Sequence, residues 1–398
     1  MKTKTPTINV SPRLALRLAP VLIVLVALVI SIQLSAQAGS DHTPMIVTFD
    51  APGAGTGVGQ GTFPEGLNPR RAIVGFTRDA GNVRHGFLRD KAGTFTTFNA
   101  PGAGTGPGQG TRAYGLNPVG AVAGFYSDAS SVFHGYLRDE DATFTTFDAP
   151  GAGTGPGLGT IAYSINPAGT SAGIYIDASG VAHGFVRARG GTITSFDPVG
   201  SVGGTITGVF SALNEAGAIT GYYIDASGVA HGFVRAPNGT ITAFNVTGAG
   251  TMPGQGTFGI SINPEGTITG VYVDVNNVVF GFVRAANGII TTFSVPCAGT
   301  GAGQGTNANN INPADNTTGY FTDASNVNHG FVRAAGGSVT TTFDAPGAGT
   351  GAGQGTFALV NNPAGAVTGY DIDGSGVFHG FLLDNEDRPE NHQDRDSQ

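Results

Sequence analysis

Six histidines recur in one short motif, His-Gly-Phe/Tyr, at His85, His134, His183, His231, His329 and His379, and Phe280 holds the same place in a seventh copy. Imidazole is the commonest transition-metal ligand and a frequent general base, so six of them invite a metal or catalytic reading. The spacing argues otherwise. Successive motifs stand 49, 49, 48, 49, 49 and 50 residues apart, so each histidine belongs to its own copy of a repeated unit. Zinc needs its ligands about 2.0–2.1 Å from one ion, whereas a repeat carries equivalent residues to separate places. Each imidazole is therefore expected to hydrogen-bond within its own unit or the next, and no metal site is expected.

Asp79, Asp128, Asp177, Asp225, Asp274, Asp323 and Asp373 recur in the same manner, each in a turn. Calcium would require six to eight oxygens at about 2.5 Å. A short aspartate capping its own turn through backbone N–H groups is the simpler reading. The loop Gly-Ala-Gly-Thr-Gly-x-Gly-Gln-Gly-Thr imitates a phosphate-binding glycine loop. It leads into a strand rather than a helix N-terminus and lacks the Lys-Ser/Thr ending, so it reads as a connector. Arg89, Arg138, Arg187, Arg235, Arg284 and Arg333 close equivalent strands and are expected to tie neighbouring units.

A residue present in every copy is best explained by the copy itself, so a specific function belongs where the copies differ. Aligned on the turn asparagines (Asn68, Asn117, Asn166, Asn214, Asn263, Asn312, Asn362), the third residue before each is Glu65, Tyr114, Tyr163, Ser211, Ile260, Asn309 or Leu359. The fifth before is Phe63, Arg112, Ile161, Val209, Phe258, Asn307 or Phe357. The period of two puts both positions on one strand face. Glu65, Arg112, Tyr114 and Tyr163, with Asn307 and Asn309, would then line a funnel and suit a polar ligand such as a sugar. Arg78 and Arg84 flank a hairpin at the same end and could extend the site.

These residues are positioned by strands. In the third copy the runs Thr160–Ile165, Thr170–Ile176, Val181–Arg187 and Thr192–Asp197 are rich in Val, Ile, Thr, Phe and Tyr. Asn-Pro, Asp-x-Ser-Gly and Gly-Gly turns separate them,. They are called a, b, c and d below. No helical period of useful length interrupts them. The expected fold is all-β: a seven-bladed β-propeller of four-stranded antiparallel blades spanning residues 45–383. Met45–Asp50 reads as a lone d strand, and the last copy ends after c at Leu383. The N-terminal strand is thus expected to complete the last blade and remove two exposed edges. A stacked β-solenoid is the alternative architecture.

The ends have a different composition. Lys2, Lys4, Arg13 and Arg17 precede an apolar run from Leu18 to Leu34 and a small-residue Ala36-Gln37-Ala38. Residues 1–38 therefore read as a signal peptide, or as an uncleaved membrane anchor, and the expected location is outside the cell or at its envelope. Residues 384–398 read as a disordered polar tail. Without residues 1–38 the chain carries 15 basic and 27 acidic residues, a formal charge of −12. That balance excludes nucleic acid as an expected partner. The single Cys297 cannot form an internal disulfide, so packing must hold the fold,.

The pattern His-Gly-Phe-Val/Leu-Arg, preceded by Asn-Pro-x-Gly and Gly-x-Tyr-x-Asp, resembles the extracellular HAF-repeat family across residues 45–383. The chain departs from it in having Gly86, Gly135, Gly184, Gly232, Gly281, Gly330 and Gly380 where the family carries alanine, and in Phe280. The resemblance implies a surface or secreted repeat protein and brings no catalytic residues with it. The functional expectation is a monomeric, non-catalytic binding or scaffolding module without a cofactor, with a glycan or protein ligand on the funnel face. A glycan-active lyase or hydrolase and a purely structural surface protein are the alternatives.

Overall fold

The computed structural model describes residues 45–337 and 340–384. The expected signal segment 1–38 and residues 385–398 of the expected tail lie outside them, whereas Asp384, also expected in the tail, ends the last strand opposite Met45. The described residues form 28 strands and one short 3-10 turn, Ala335–Gly337. In the first unit, a (Gly61–Leu67), b (Ile73–Arg78), c (Arg84–Arg89) and d (Phe95–Phe98) pair antiparallel in sequence order. The same order recurs along the chain. The last unit has a, b and c (Phe378–Asp384), and the N-terminal strand Met45–Phe49 pairs antiparallel with that c strand, Phe49 opposite Gly380.

The repeated residues explain the repeated geometry. Each turn aspartate accepts from its own hairpin, as in Val83 N–H to Asp79 Oδ1 at 2.8 Å and Val377 N–H to Asp373 Oδ1 at 2.8 Å. Each turn asparagine caps the a–b turn through Oδ1 and also reaches outward through Nδ2. Asn68 donates to the Asn117 carbonyl at 3.3 Å, and the relay passes through Asn166, Asn214, Asn263 and Asn312 to Asn362. Asn362 then donates to the carbonyl of Asn68 at 3.2 Å, so seven hydrogen bonds return to their start. Each such buried bond contributes about 0.5–1.5 kcal/mol net.

The core lies between units. Phe87, Tyr136, Phe185, Phe233, Phe282, Phe331 and Phe381 are all fully buried, and burying such a ring contributes roughly 1.5–3 kcal/mol. The glycine before each has a steric cause. A Cβ on Gly86 would sit 2.4 Å from the ring of Phe98, its cross-strand partner, and one on Gly380 would sit 2.4 Å from Phe49. The seam between the chain's two ends thus repeats the contact found inside a unit. Arginines tie units as expected: Arg89 lies 4.8 Å from the ring centroid of Phe49, and Arg138 lies 4.9 Å from that of Phe98. Leu383 takes this place in the last unit, where Asp384 pairs with Arg71 at 3.0 Å.

The fourth unit departs from the pattern. Its connection from Asp197 to Gly204 is four residues shorter than the others, and its path from Gly204 to Asn214 is three residues longer, which leaves the 48-residue spacing. Strand a covers only Gly204–Thr207, with Ile206 opposite Tyr222 as Phe63 is opposite Phe76. Ile206, not Val209, is therefore the equivalent of Phe63; counting back from Asn214 misplaced it because the extra residues lie between. Phe210, in that insertion, packs against the cluster containing Leu67, Phe357, Leu359 and Val360 from the first and last units.

Candidate functional site

The histidines are held at both ring nitrogens. His85 Nδ1 is 3.0 Å from Asn99 Oδ1, and its Nε2 is 3.2 Å from Asp79 Oδ2. His134 sits between Asp148 at 2.9 Å and Asp128 at 3.6 Å, and its ring stacks on Tyr126 at 5.0 Å. Where Phe280 replaces histidine it stacks on Tyr272 at 5.1 Å, and Asp274 instead accepts from Asn276. Ser294 occupies the place of Asp148 in that unit. The imidazoles are thus occupied within their own units. No group of three or more His, Cys, Asp or Glu among the described residues could hold a metal ion.

The inner strands carry the variation, through a device that strand periodicity did not predict. In six units the a–b register slips at one residue of strand a: Glu65, Tyr114, Tyr163, Ile260, Asn309 and Leu359 are the extra residues. Such a bulge re-aims its side chain out of the regular ladder. Glu65, Tyr114 and Tyr163 line one cavity of about 60 Å³ together with Ser211, Leu213 and Val360. That volume admits a few waters. A second cavity of about 140 Å³ opens among the Asn-Pro turns and is lined by residues of all seven copies, including Leu67, Leu116, Ile165 and Asn361.

Burial raises the Glu65 carboxyl to about 8, partly offset by the Arg112 guanidinium. Glu65 is therefore mostly a neutral acid at pH 7. Tyr114 and Tyr163 meet edge to face at 5.3 Å. Burial pushes both phenols up; at Tyr114 the next cause is the charge of Glu65, and at Tyr163 it is Tyr222. The result is a half-buried cluster of proton donors around the small cavity. Arg112 stands beside it with its guanidinium 4.7 Å from the Phe125 centroid.

Four of the six expected site residues thus come together. Asn307 and Asn309 do not line this cavity. Both are buried, and Asn309 donates to the carbonyl of Ala358 at 3.0 Å, linking adjacent strands. The fifth-position residues Phe63, Ile161 and Phe357 are buried core rather than an open wall; Phe63 stacks on Phe76 at 4.8 Å.

Sequence reasoning overlooked Asp371. It occupies the place of Tyr126 and Tyr175, opposite His379 as they are opposite His134 and His183. Its side chain is fully buried, both carboxyl oxygens lack a hydrogen-bond partner, and burial raises it to about 7 against the pull of His379. The signal was a carboxylate at a position that is aromatic in five copies and Thr77 in the first.

The fold is similar to virginiamycin B lyase from Staphylococcus aureus in a catalytically inactive form with quinupristin. The TM-score is 0.54 at 13% identity, over 86% of this chain and 99% of that one. A streptogramin B lyase aligns at TM-score 0.50 and 12% identity, over 86% and 98%. The Aleuria aurantia lectin aligns at 0.41 and 11% identity, over 70% and 94%, a likeness too loose to inform function. The architecture is all-β with repeated strands, and the virginiamycin B lyase it is similar to is a β-propeller. No family model matches the chain. No curated protein matches it.

Proposed function

We propose that the protein is an exported seven-bladed β-propeller of the HAF-repeat kind, with four antiparallel strands per blade and the N-terminal strand completing the last. In this reading it is a non-catalytic binding module at the cell envelope or outside the cell, with a glycan as its ligand. Support for the closed form comes from the pairing of Met45–Phe49 with Phe378–Asp384 and from the asparagine relay that returns to Asn68. The observation that carries the binding function is where the copies diverge. Residues common to the copies are engaged in turns, clamps and core, whereas Glu65, Arg112, Tyr114 and Tyr163 differ from their equivalents and gather in one place.

One feature favours an enzyme instead: Glu65 keeps its proton to about pH 8 beside two tyrosines, as a general acid would,. The lining weighs against this: among the described residues Glu65 is the only carboxylate around the cavity, whereas ordinary glycoside hydrolysis uses a pair,. Binding of the purified protein to a broad glycan array, with the same glycans assayed for cleavage, separates the readings. Saturable retention without cleavage is expected. Cleavage abolished by Glu65→Gln would replace the binding module with an enzyme, and no retention would favour a structural role.

A further inference from the structure

Three arginines converge where the first and second units meet. Arg78 ends strand b and Arg84 begins strand c, and the two are direct cross-strand partners. Arg84 also pairs in parallel with Gly110, two residues before Arg112 on the next unit's strand a. Register alone therefore brings three guanidinium-bearing residues together. Their equivalents are uncharged in every other unit. The place of Arg78 is taken by residues such as Ser127, Ile176 and Ile224, and that of Arg84 by Phe133, Ala182 and Ala230. Phe63, Ile161 and Phe258 stand in for Arg112.

Nothing nearby neutralises them. Among the described residues no carboxylate lies within ion-pair distance of Arg78, Arg84 or Arg112. Arg78 donates through Nη1 to the Gly59 carbonyl at 2.8 Å and stands 5.7 Å from the Phe63 centroid, and its buried Nε has no partner. Arg84 donates through Nη1 to the Gly108 carbonyl. Backbone carbonyls and ring faces hold the guanidiniums in place while leaving their charge unpaired. Glu65 does not compensate at neutral pH, since it keeps its proton. Burial chiefly, and then the charges of Arg112 and Arg78, lowers Arg84 to about 9. All three side chains remain partly exposed. Like charges gathered at a net cost to the fold, in a chain otherwise acidic, need a counter-charge from outside.

We propose that Arg78, Arg84 and Arg112 form a binding site for an oxyanion, the carboxylate or sulfate of an acidic glycan. This rests on the binding-module reading and names its ligand class. A guanidinium offers paired N–H donors that match the two oxygens of a carboxylate or sulfate. The surrounding negative charge of the protein repels anions elsewhere, which leaves this rim as the place where one is accepted.

The test is calorimetric titration of the full chain with oligogalacturonate, with a sulfated oligosaccharide and with a neutral oligosaccharide of equal length. The two acidic probes distinguish carboxylate from sulfate. Saturable binding of at least one acidic probe is expected, weakened about tenfold between about 0.05 and 0.5 M salt. Arg112→Gln and Arg84→Gln should each weaken it by about tenfold or more, while Arg112→Lys retains part of it. Arg189→Gln, at an exposed position remote from the rim in sequence, should leave it unchanged. Melting curves of the variants separate lost binding from lost fold. No saturable binding of either acidic probe overturns the proposal, as does binding that the arginine variants leave intact. Equal affinity for the neutral probe overturns the oxyanion site while leaving a glycan-binding module standing.

Discussion

The outer part of each unit and its inner strand follow opposite rules. Outside, the same parts recur with little change: the histidine between two acids or amides, the aromatic ring over glycine, the arginine over phenylalanine. When one part changes there, its partners change with it, as Phe280 and Ser294 show. The inner strand varies from copy to copy, and its bulged residue is an acid, a tyrosine, an amide or an aliphatic according to the unit. The difference teaches where the repeat constrains the chain. Outer residues each meet the same neighbours seven times, so a change must be matched locally. Inner residues meet at one shared centre, so one copy can differ if the others make room.

The largest effect should come from the outer core. Phe185→Ala removes a fully buried ring and should destabilise the protein by about 3–5 kcal/mol in chemical denaturation,. Loss below about 1 kcal/mol would mean that the units do not depend on their shared ring. Next comes the pH dependence of the inner strand. Glu65 is raised from 4.5 to about 8, so the folded state binds more protons than the unfolded state across that window. Stability attached to the neutral acid is full below about pH 4.5 and lost as pH rises towards 8, with a size on the order of a few kcal/mol,. Glu65→Gln should flatten this slope. Asp371, raised to about 7, contributes in the same direction, and Asp371→Asn should remove its share. An unchanged slope in both variants would show these carboxyls to be ordinarily solvated.

Breaking the asparagine relay should matter less. Asn166→Ala deletes one donor to the Asn214 carbonyl and the cap on its own turn, and should cost about 1–3 kcal/mol without altering ligand affinity,. The smallest effect should follow from copying a natural exception. His134→Phe with Asp148→Ser reproduces the fifth unit, keeps the stack on Tyr126 and should change stability by less than about 1 kcal/mol,. A larger loss from the pair than from His134→Phe alone would contradict the local compensation seen at Phe280.

Several features were legible from residue type and spacing because they depend on near neighbours. The capping aspartates, the strand–turn order and the lone strand Met45–Phe49 with its missing partner all belong to this group. The reason for glycine in His-Gly-Phe emerged only with register, which lays Phe98 on Gly86. The six-residue site expectation mixed two outcomes. Glu65, Tyr114 and Tyr163 meet because bulges re-aim them into one cavity, whereas Asn309 is engaged by Ala358.

The sequence by itself determined the repeat, its four strands and the residues each unit needs to close its own turns. Those interactions span short loops or one period of the chain, and their signals recur seven times. Only the tertiary structure decided the proton on Glu65, the relay that carries Asn362 back to Asn68, the reach of Phe210 and the meeting of Arg78, Arg84 and Arg112. Each of these depends on which units face one another and how much water remains between them. Burial and cross-unit distance are properties of the packed assembly of strands, and no single repeat contains them.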